Sequence, residues 1–510
     1  MGRVTAKRPI EPVDVCLVLE GTYPYVSGGV STWTHDLLHG QSDLSFHLVC
    51  LIAQGADLTH RYEVPPNVRG ITNVVVGALP QGAQKVRGSE RLLRSLRAPL
   101  EKLQSGAGLE ELTAIVELLR PLSAQLGQTV LLDSPEAWDL LLSLYRSSFP
   151  QCSFLDYFWT WRNILSGLYS VLLAPLPEAR VYHALCTGYA GLFAVRARIE
   201  AGTPVLLTEH GIYTNERRIE IAMADWLTHE PGDTLRLEKQ ARDLKDFWVD
   251  TFASYSRACY EAACRIVTLF GGNQQLQIAE GADPGKLEVI PNGVDFQALS
   301  GAVGDHSAHP PTVALIGRVV PIKDVKTYIR SVAILREIVP HVRAFVLGPE
   351  DEDPEYMAQC RALVWHLGMQ DSLIFAGRVS IQEYLPQIDI LVLTSISEAQ
   401  PLVILEAGCA GIPSVATDVG ACREMIWGDR RETEALGAGG EVVPLSNPTA
   451  TAHAMARLLT DRAWREKAGR AMRRRVELYY NKPALEAAYR HLYQQWAIPV
   501  LPSFRSKGAA

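Results

Sequence analysis

"DILVLTSISEAQPLVILEAGCAG", Asp389 to Gly411, sets the architecture. It opens with an apolar run of strand length, and its second half is an apolar stretch begun by Pro401, suited to a helix's first turn because a proline there forfeits no hydrogen bond. A buried strand passing directly into a buried helix is the unit of a parallel sheet covered on both faces. The same rhythm recurs along the chain. In the first half it predicts strands at VCLVLE (15 to 20), FHLVCLIA (46 to 53), ARVYHAL (179 to 185), TPVLLTE (203 to 209) and CRIVTLF (264 to 270). In the second half the strands are TVALIG (312 to 317), RAFVLG (343 to 348), SLIFAG (372 to 377), DILVLTS (389 to 395), PSVATD (413 to 418) and EVVP (441 to 444).

Two α/β doubly wound domains follow, and the length of 510 residues agrees, since a single core stops growing at roughly 250 to 300 residues. LSGAVGDHSAHPP, Leu299 to Pro311, has the composition of a linker. The expected division is an N-terminal domain over 1–298, a C-terminal domain over 312–480, and a terminal helix within 481–510 that can cross back to the first domain. From about residue 80 to 175 the strand rhythm stops, and SERLLRSLRAPLEKLQ and EAWDLLLSLYRSSF read as a helical insertion.

With 47% hydrophobic and 21% charged residues the chain is globular. A net charge of -7 argues against a nucleic-acid partner. No apolar run reaches the roughly 18 residues of a membrane span. The N-terminal apolar run is too short for a leader and ends in Glu20, so the first residues read as a tail before a strand. Nine scattered cysteines without a CxxC pair, four of them (Cys16, Cys50, Cys186, Cys409) inside apolar runs, fit a reduced, cytoplasmic setting. Neither they nor the thirteen histidines show zinc-ligand spacing, so no metal is expected.

Ligands of open parallel sheets collect beyond the carboxyl ends of the strands. Four stretches lie there. In EGTYPYVSGGVSTW, Glu20 to Trp33, Gly28 and Gly29 let backbone N–H groups approach a ligand, and the helix beginning near Val30 favours an anion. Tyr23 and Tyr25 either offer faces and hydroxyls to a sugar ring or pack in a tight strand-to-helix turn. In IGRVVPIKDVKTY, Arg318 and Lys323 follow a strand and either supply two positive charges together, a match for a diphosphate, or serve the fold, Arg318 paired with a carboxylate and Lys323 solvated. In the opening stretch, Glu398 and Glu406 stand eight residues apart, about 12 Å if helical throughout. That is comparable to the separation of sugar and ribose in a nucleotide sugar, with the helix N-terminus facing the phosphates between. The apolar residues around Glu406 imply burial and a hydrogen-bonding partner. In LLTEHGIYTNER, His210 follows a strand directly, whereas His183 in VYHALCTG reads as structural. Asp351-Glu352-Asp353 spells a D-x-D metal motif but lies in an acidic turn, and RAMRRRVE (470 to 477) reads as a solvated basic helix face.

SGGVS (27 to 31), TEHG (208 to 211), GRVVPIK (317 to 323) and EAQPLVILE (398 to 406), with PNGVD (291 to 295) and ATDVGACRE (416 to 424), resemble the motifs of the retaining glycosyltransferase family 4. The resemblance implies GT-B architecture, two Rossmann-like doubly wound domains facing a cleft, the first serving the acceptor and the second the nucleotide sugar. It runs from about residue 15 to 480. EGTYPYVSGGVSTW, the helical insertion and LGPEDEDPEY further resemble the cytoplasmic glycosyltransferases of Pel exopolysaccharide systems. The resemblance implies that Arg318 and Lys323 bind the donor diphosphate, Glu406 the ribose, Glu398 the transferred sugar and His210 its hydroxymethyl side. Gly29 would lie near the distal phosphate, the Leu402 and Val403 backbone near the donor, and Val379 near the base. No cofactor is expected beyond a nucleoside diphosphate sugar, by resemblance UDP-linked, as donor substrate. An oligo- or polysaccharide accepts the hexose, and an inner-membrane polysaccharide synthase complex is the implied partner, giving a peripheral place at that membrane. Other readings are a different GT-B reaction, such as nucleotide-sugar epimerisation or sucrose- or glycogen-type synthesis, and a catalytically idle sugar-nucleotide scaffold. One departure is Ala421, where the family often has a second glycine after Gly420.

Overall fold

The computed structural model describes residues 12–222, 243–302 and 309–497. The tail expected before the first strand, the middle of the expected linker and the last residues of the terminal segment lie outside them. The described chain carries two sheets. The first joins β1 (Val13–Glu20), β2 (Phe46–Ile52), β3 (Val68–Val75), β4 (Ala179–Ala184), β5 (Val205–Glu209), β6 (Arg265–Thr268) and β7 (Leu287–Val289) in the order β3-β2-β1-β4-β5-β6-β7. The second joins β8 (Thr312–Ile316), β9 (Arg343–Leu347), β10 (Leu373–Gly377), β11 (Ile390–Leu393), β12 (Ser414–Thr417) and β13 (Gly440–Val443) in the order β10-β9-β8-β11-β12-β13. Its strand pairs are all parallel, as are those from β3 to β6 in the first sheet. Each is a Rossmann-like sheet, and the strand order reverses between β1 and β4 and again between β8 and β11. Those two reversals are where such sheets open a crevice for ligands.

The apolar runs became strands because both of their faces are covered: Val15 to Leu19 are fully buried, as are Val313 and Ala314. β3 and β7 were not anticipated from sequence. β3 is an edge strand in which only Val74 is buried, so it lacks the apolar run that marks the central strands. β7 is three residues long.

The chain separates into two compact units. One comprises the residues up to Thr268, Gln274–Glu288 and those from Tyr489 on; the other comprises Leu269–Asn273 and Val289–Ala488. In the first unit the stretch between β3 and β4 forms the helices Ser89–Leu103, Leu109–Leu119, Pro135–Ser148 and Phe154–Leu172. Leu92, Leu93, Leu96, Leu100 and Leu103 form one buried stripe at helical spacing. They share a single core with Val49 and Leu51 of β2 and Val18 of β1, so these helices cover the sheet. The end of the helix Lys482–Ala497 counts with the same unit, where Tyr493 Oη meets His183 Nδ1 at 2.7 Å while His183 Nε2 meets Thr208 Oγ1 at 2.9 Å. His183 is structural.

The second unit corrects one reading of charge. RAMRRRVE lies in the helix Arg462–Tyr479 and is solvated as expected at Arg470 and Arg474, but not at Arg473 and Arg475. Arg475 is 1% exposed, paired with Glu432 and donating to Ile426 O at 2.9 Å and Gly437 O at 2.7 Å. Arg473 Nη1 donates to Ser300 O and Cys409 O, both at 2.9 Å. A guanidinium can turn inward when backbone carbonyls satisfy its fork, which helical spacing alone does not reveal.

Candidate functional site

In the second unit, the loops leaving β8 and β11 meet at the strand-order reversal. They are tied together: Thr394 Oγ1 donates to Lys323 O at 3.1 Å and to Asp324 O at 3.0 Å, and Ile396 N–H donates to Ile322 O at 2.8 Å. Lys323 closes the short turn Pro321–Lys323. Its Nζ donates to Glu398 Oε1 at 2.5 Å, and Ser395 Oγ donates to the same oxygen at 2.6 Å. Arg318, one residue beyond the glycine that ends the β8 motif, donates through Nη1 to Glu352 Oε2 at 2.8 Å. Both cations thus leave the one loop after β8, Arg318 holding a carboxylate on the β9 side and Lys323 one on the β11 side.

Beneath Glu398 runs the loop after β12. Gly420 has φ +50, and a Cβ there would stand 2.1 Å from Glu398 O. The N–H of the following Ala421 donates to Ala399 O at 2.8 Å, and Ala421 is buried, so the loop closes on the Glu398 segment with alanine in the position where the family often has glycine.

Glu398 and Glu406 do not share one continuous helix. The helix is Leu402–Cys409, with Pro401 as its N-cap rather than in its first turn, so the 12 Å expectation lapses. Glu398 lies in the loop, where it can turn back to Lys323. The first N–H groups of a helix, here those of Leu402 and Val403, have no intrahelical acceptor and favour an anion. One turn in, Glu406 Oε2 is buried without a hydrogen-bond partner, contrary to the expected pairing. Burial pushes its carboxyl above the usual range. A buried acceptor left unsatisfied costs stability, and a ligand hydroxyl would relieve it. Val379, past β10, packs partly buried against the core that includes Ile404 and Leu405.

The D-x-D stretch makes local contacts. Asp353 accepts from Tyr356 N–H at 2.9 Å and caps the helix Pro354–His366, while Glu352 holds Arg318. Among the described residues no cluster of three His, Cys, Asp or Glu could hold a metal ion.

In the first unit, the crevice beyond β1, β4 and β5 contains a cavity of about 180 Å³ lined by Glu20, Thr22, Cys186, His210 and Tyr213, among others. Glu20 Oε1 accepts from Tyr213 Oη at 2.7 Å, and Oε2 accepts from Ala190 N–H and from the Cys186 thiol, both at 3.3 Å. Thr22 Oγ1 and His210 Nε2 are buried without partners. His210 packs edge-on against Trp33 at 4.7 Å, and burial lowers its pKa to about 4. It is neutral at pH 7 and can donate or accept through one nitrogen.

Gly28 is the N-cap of the helix Gly29–Gly40. A Cβ at Gly28 or Gly29 would meet nothing within 4 Å, so open space lies beside that helix start. The tyrosines of the same loop are a correction. Tyr23 is 0% and Tyr25 8% exposed. Tyr23 Oη lies 3.4 Å from His35 Nδ1, and Tyr25 Oη donates to Asn73 Oδ1 at 2.9 Å. They anchor the loop and present no free face to a sugar. The residues missed from sequence are Glu20, Thr22, Trp33, Glu352 and Ser395. Glu20 alone carried a signal, as a carboxylate at the end of an otherwise apolar strand.

Residues 13–285 match the family model described as a domain of unknown function, DUF3492, and residues 310–461 match the model described as glycosyl transferases group 1. A D-inositol 3-phosphate glycosyltransferase of Kribbella flavida is 28% identical over 306 residues, 57% of this chain and 64% of that protein. One from Kineococcus radiotolerans is 29% identical over 234 residues, 42% of this chain and 54% of that protein. The chain therefore spans between half and two thirds of the length of these relatives. Among solved structures, sucrose-phosphate synthase from Thermosynechococcus elongatus superposes with a TM-score of 0.55 at 17% identity, covering 94% of this chain and 98% of that one. Anabaena Alr3699/HepE in complex with UDP superposes with a TM-score of 0.58 at 14% identity, covering 94% and 99%. These likenesses show the fold. The chain belongs to the DUF3492 family, its residues 310–461 match the glycosyl transferases group 1 model, and its fold is the two-sheet α/β GT-B fold.

Proposed function

We propose that the protein is a retaining glycosyltransferase that moves a hexose from a nucleoside diphosphate sugar to a growing exopolysaccharide. The observation that supports this reading is Lys323, in the same loop as Arg318, held against Glu398 in the loop that enters the helix bearing Glu406, whose buried Oε2 lacks a partner. In this reading Arg318 and Lys323 take the diphosphate, and the N-terminus at Leu402 and Val403 adds its partial positive charge. Glu406 accepts the ribose hydroxyls, which satisfies its orphaned oxygen. Glu398 orients the transferred sugar, Val379 borders the base, and neutral His210 contacts the sugar's hydroxymethyl group. Gly28 and Gly29 admit the distal phosphate. The leaving diphosphate takes the acceptor's proton on the face it departs from. Two fixed cations make a metal unnecessary, and no cofactor is used.

Uridine as the base follows likeness: HepE has been solved with UDP and with UDP-glucose. Resemblance to the Pel-system enzymes supports a cytoplasmic protein that works beside an inner-membrane polysaccharide synthase complex. The deciding assay incubates the protein with a panel of nucleotide sugars and follows nucleoside diphosphate release with and without oligosaccharide. Release that depends on oligosaccharide supports transfer. Binding without release marks a scaffold, and release abolished by a chelator and restored by manganese removes the metal-independent mechanism.

A further inference from the structure

The acids after β9 divide their partners. Glu350 holds Arg361 at 2.7 Å, Asp353 caps a helix, and Glu352 holds Arg318 at 2.8 Å. The last contact is built in by the backbone. Gly317 N–H donates to Leu347 O at 2.8 Å and Val319 N–H donates to Pro349 O at 2.9 Å, and a Cβ on Gly348 would stand 2.1 Å from Gly317 O. The loops after β8 and β9 are therefore stitched together on both sides of Arg318, and Glu352 stays within its reach.

We propose that Glu352 is a stand-in for the donor's diphosphate. It holds Arg318 while the site is empty, yields the guanidinium when a diphosphate arrives, and recaptures it as the nucleoside diphosphate leaves. This rests on the assignment of Arg318 to the diphosphate. The side chains of the pair are 54% and 41% exposed, and an exposed pair of this kind changes an equilibrium constant by at most about fivefold. A diphosphate, with more charge and more acceptor oxygens, displaces it. Glu352 uses Nη1 alone, so the guanidinium keeps donors with which to begin the exchange. The carboxylate lowers affinity for donor and product alike, which hastens product release.

The test is calorimetric titration of the full chain with uridine, adenosine and guanosine diphosphates, using wild type, E352Q, R318A and the double variant. Expected are binding about two- to fivefold tighter in E352Q, at least about tenfold weaker in R318A, and no effect of E352Q on the R318A background. Added salt should narrow the gap between wild type and E352Q. Unchanged or weaker binding in E352Q, with R318A still impaired, overturns the stand-in role alone. Unchanged binding in R318A, or none of the three diphosphates bound by wild type, removes the diphosphate assignment and the inference with it.

Discussion

Glu406 carries a desolvation cost that a ligand hydroxyl would offset. Burial raises its folded-state pKa above that of the unfolded chain, so the native state keeps the proton to higher pH and loses stability as pH rises through that window. Glu406→Gln should therefore raise the second unit's melting temperature at pH 7, by about 2 to 4 °C for each 1 kcal/mol relieved, while weakening nucleoside diphosphate binding. Calorimetry with and without uridine diphosphate checks both signs, and a lowered melting temperature would contradict the desolvation account. Lys323→Ala strips Glu398 of its cation and should lower turnover by well over tenfold, consistent with the loss of a charge-assisted hydrogen bond of about 1.5 to 3 kcal/mol. Initial-rate measurement decides it. Arg318, Lys323, Glu398 and Glu406 could be picked out as candidates because each lies in a loop leaving the carboxyl end of a strand or one turn inside the following helix. Their partners were not: the Lys323–Glu398 and Arg318–Glu352 pairs depend on which loops the sheet order makes neighbours.

Among the elements, the central strands were readable because burial on both faces leaves nothing but apolar residues. The edge strand Val68–Val75 keeps Arg69, Gly70 and Asn73, and so was missed. The start of the helix lies at Leu402, one residue past Pro401, because Pro401 fits the N-cap as well as the first turn. Tyr23 and Tyr25 misled because an aromatic beside a glycine-rich loop reads alike whether it serves a ligand or anchors the turn. The loop at Gly420 supplies the test at this scale. Its φ of +50 and the 2.1 Å approach to Glu398 O leave no room for a side chain. Gly420→Ala should cost on the order of 1 to 3 kcal/mol and impair donor binding through Glu398, whereas Ala421→Gly should leave the loop in place. Urea denaturation and diphosphate titration of the two variants check this, and equal behaviour would sink the assignment of that close approach.

For the whole molecule, acid acts on buried groups of both signs, and within the first unit they oppose one another. In the first, burial lowers His183 to about 3 and His210 to about 4. The unfolded chain then binds more protons below the ordinary histidine pKa of about 6.5, so stability falls as pH drops from there toward 4. In the second, Glu406 works the other way. Glu209 in the first unit, which burial raises to about 7, opposes the histidines, so scanning calorimetry between pH 7 and 5 should move the first unit's transition down further in Glu209→Gln than in wild type, and a Glu209→Gln transition that does not fall with acid would contradict the buried neutral histidines. The division into two doubly wound sheets was visible in the repeated strand and helix rhythm. The division points were less so, because chain continuity hides which short segments pack with which core, as at Leu269–Asn273.

The empty space around the alpha carbons of Gly28 and Gly29 separates two kinds of selection. A library of variants screened for expression and heat resistance should drift freely at those two codons, because neither the chain's geometry nor its packing demands a hydrogen there. The same library screened for turnover should return glycine, since whatever requires the missing methyl group comes from outside the polypeptide.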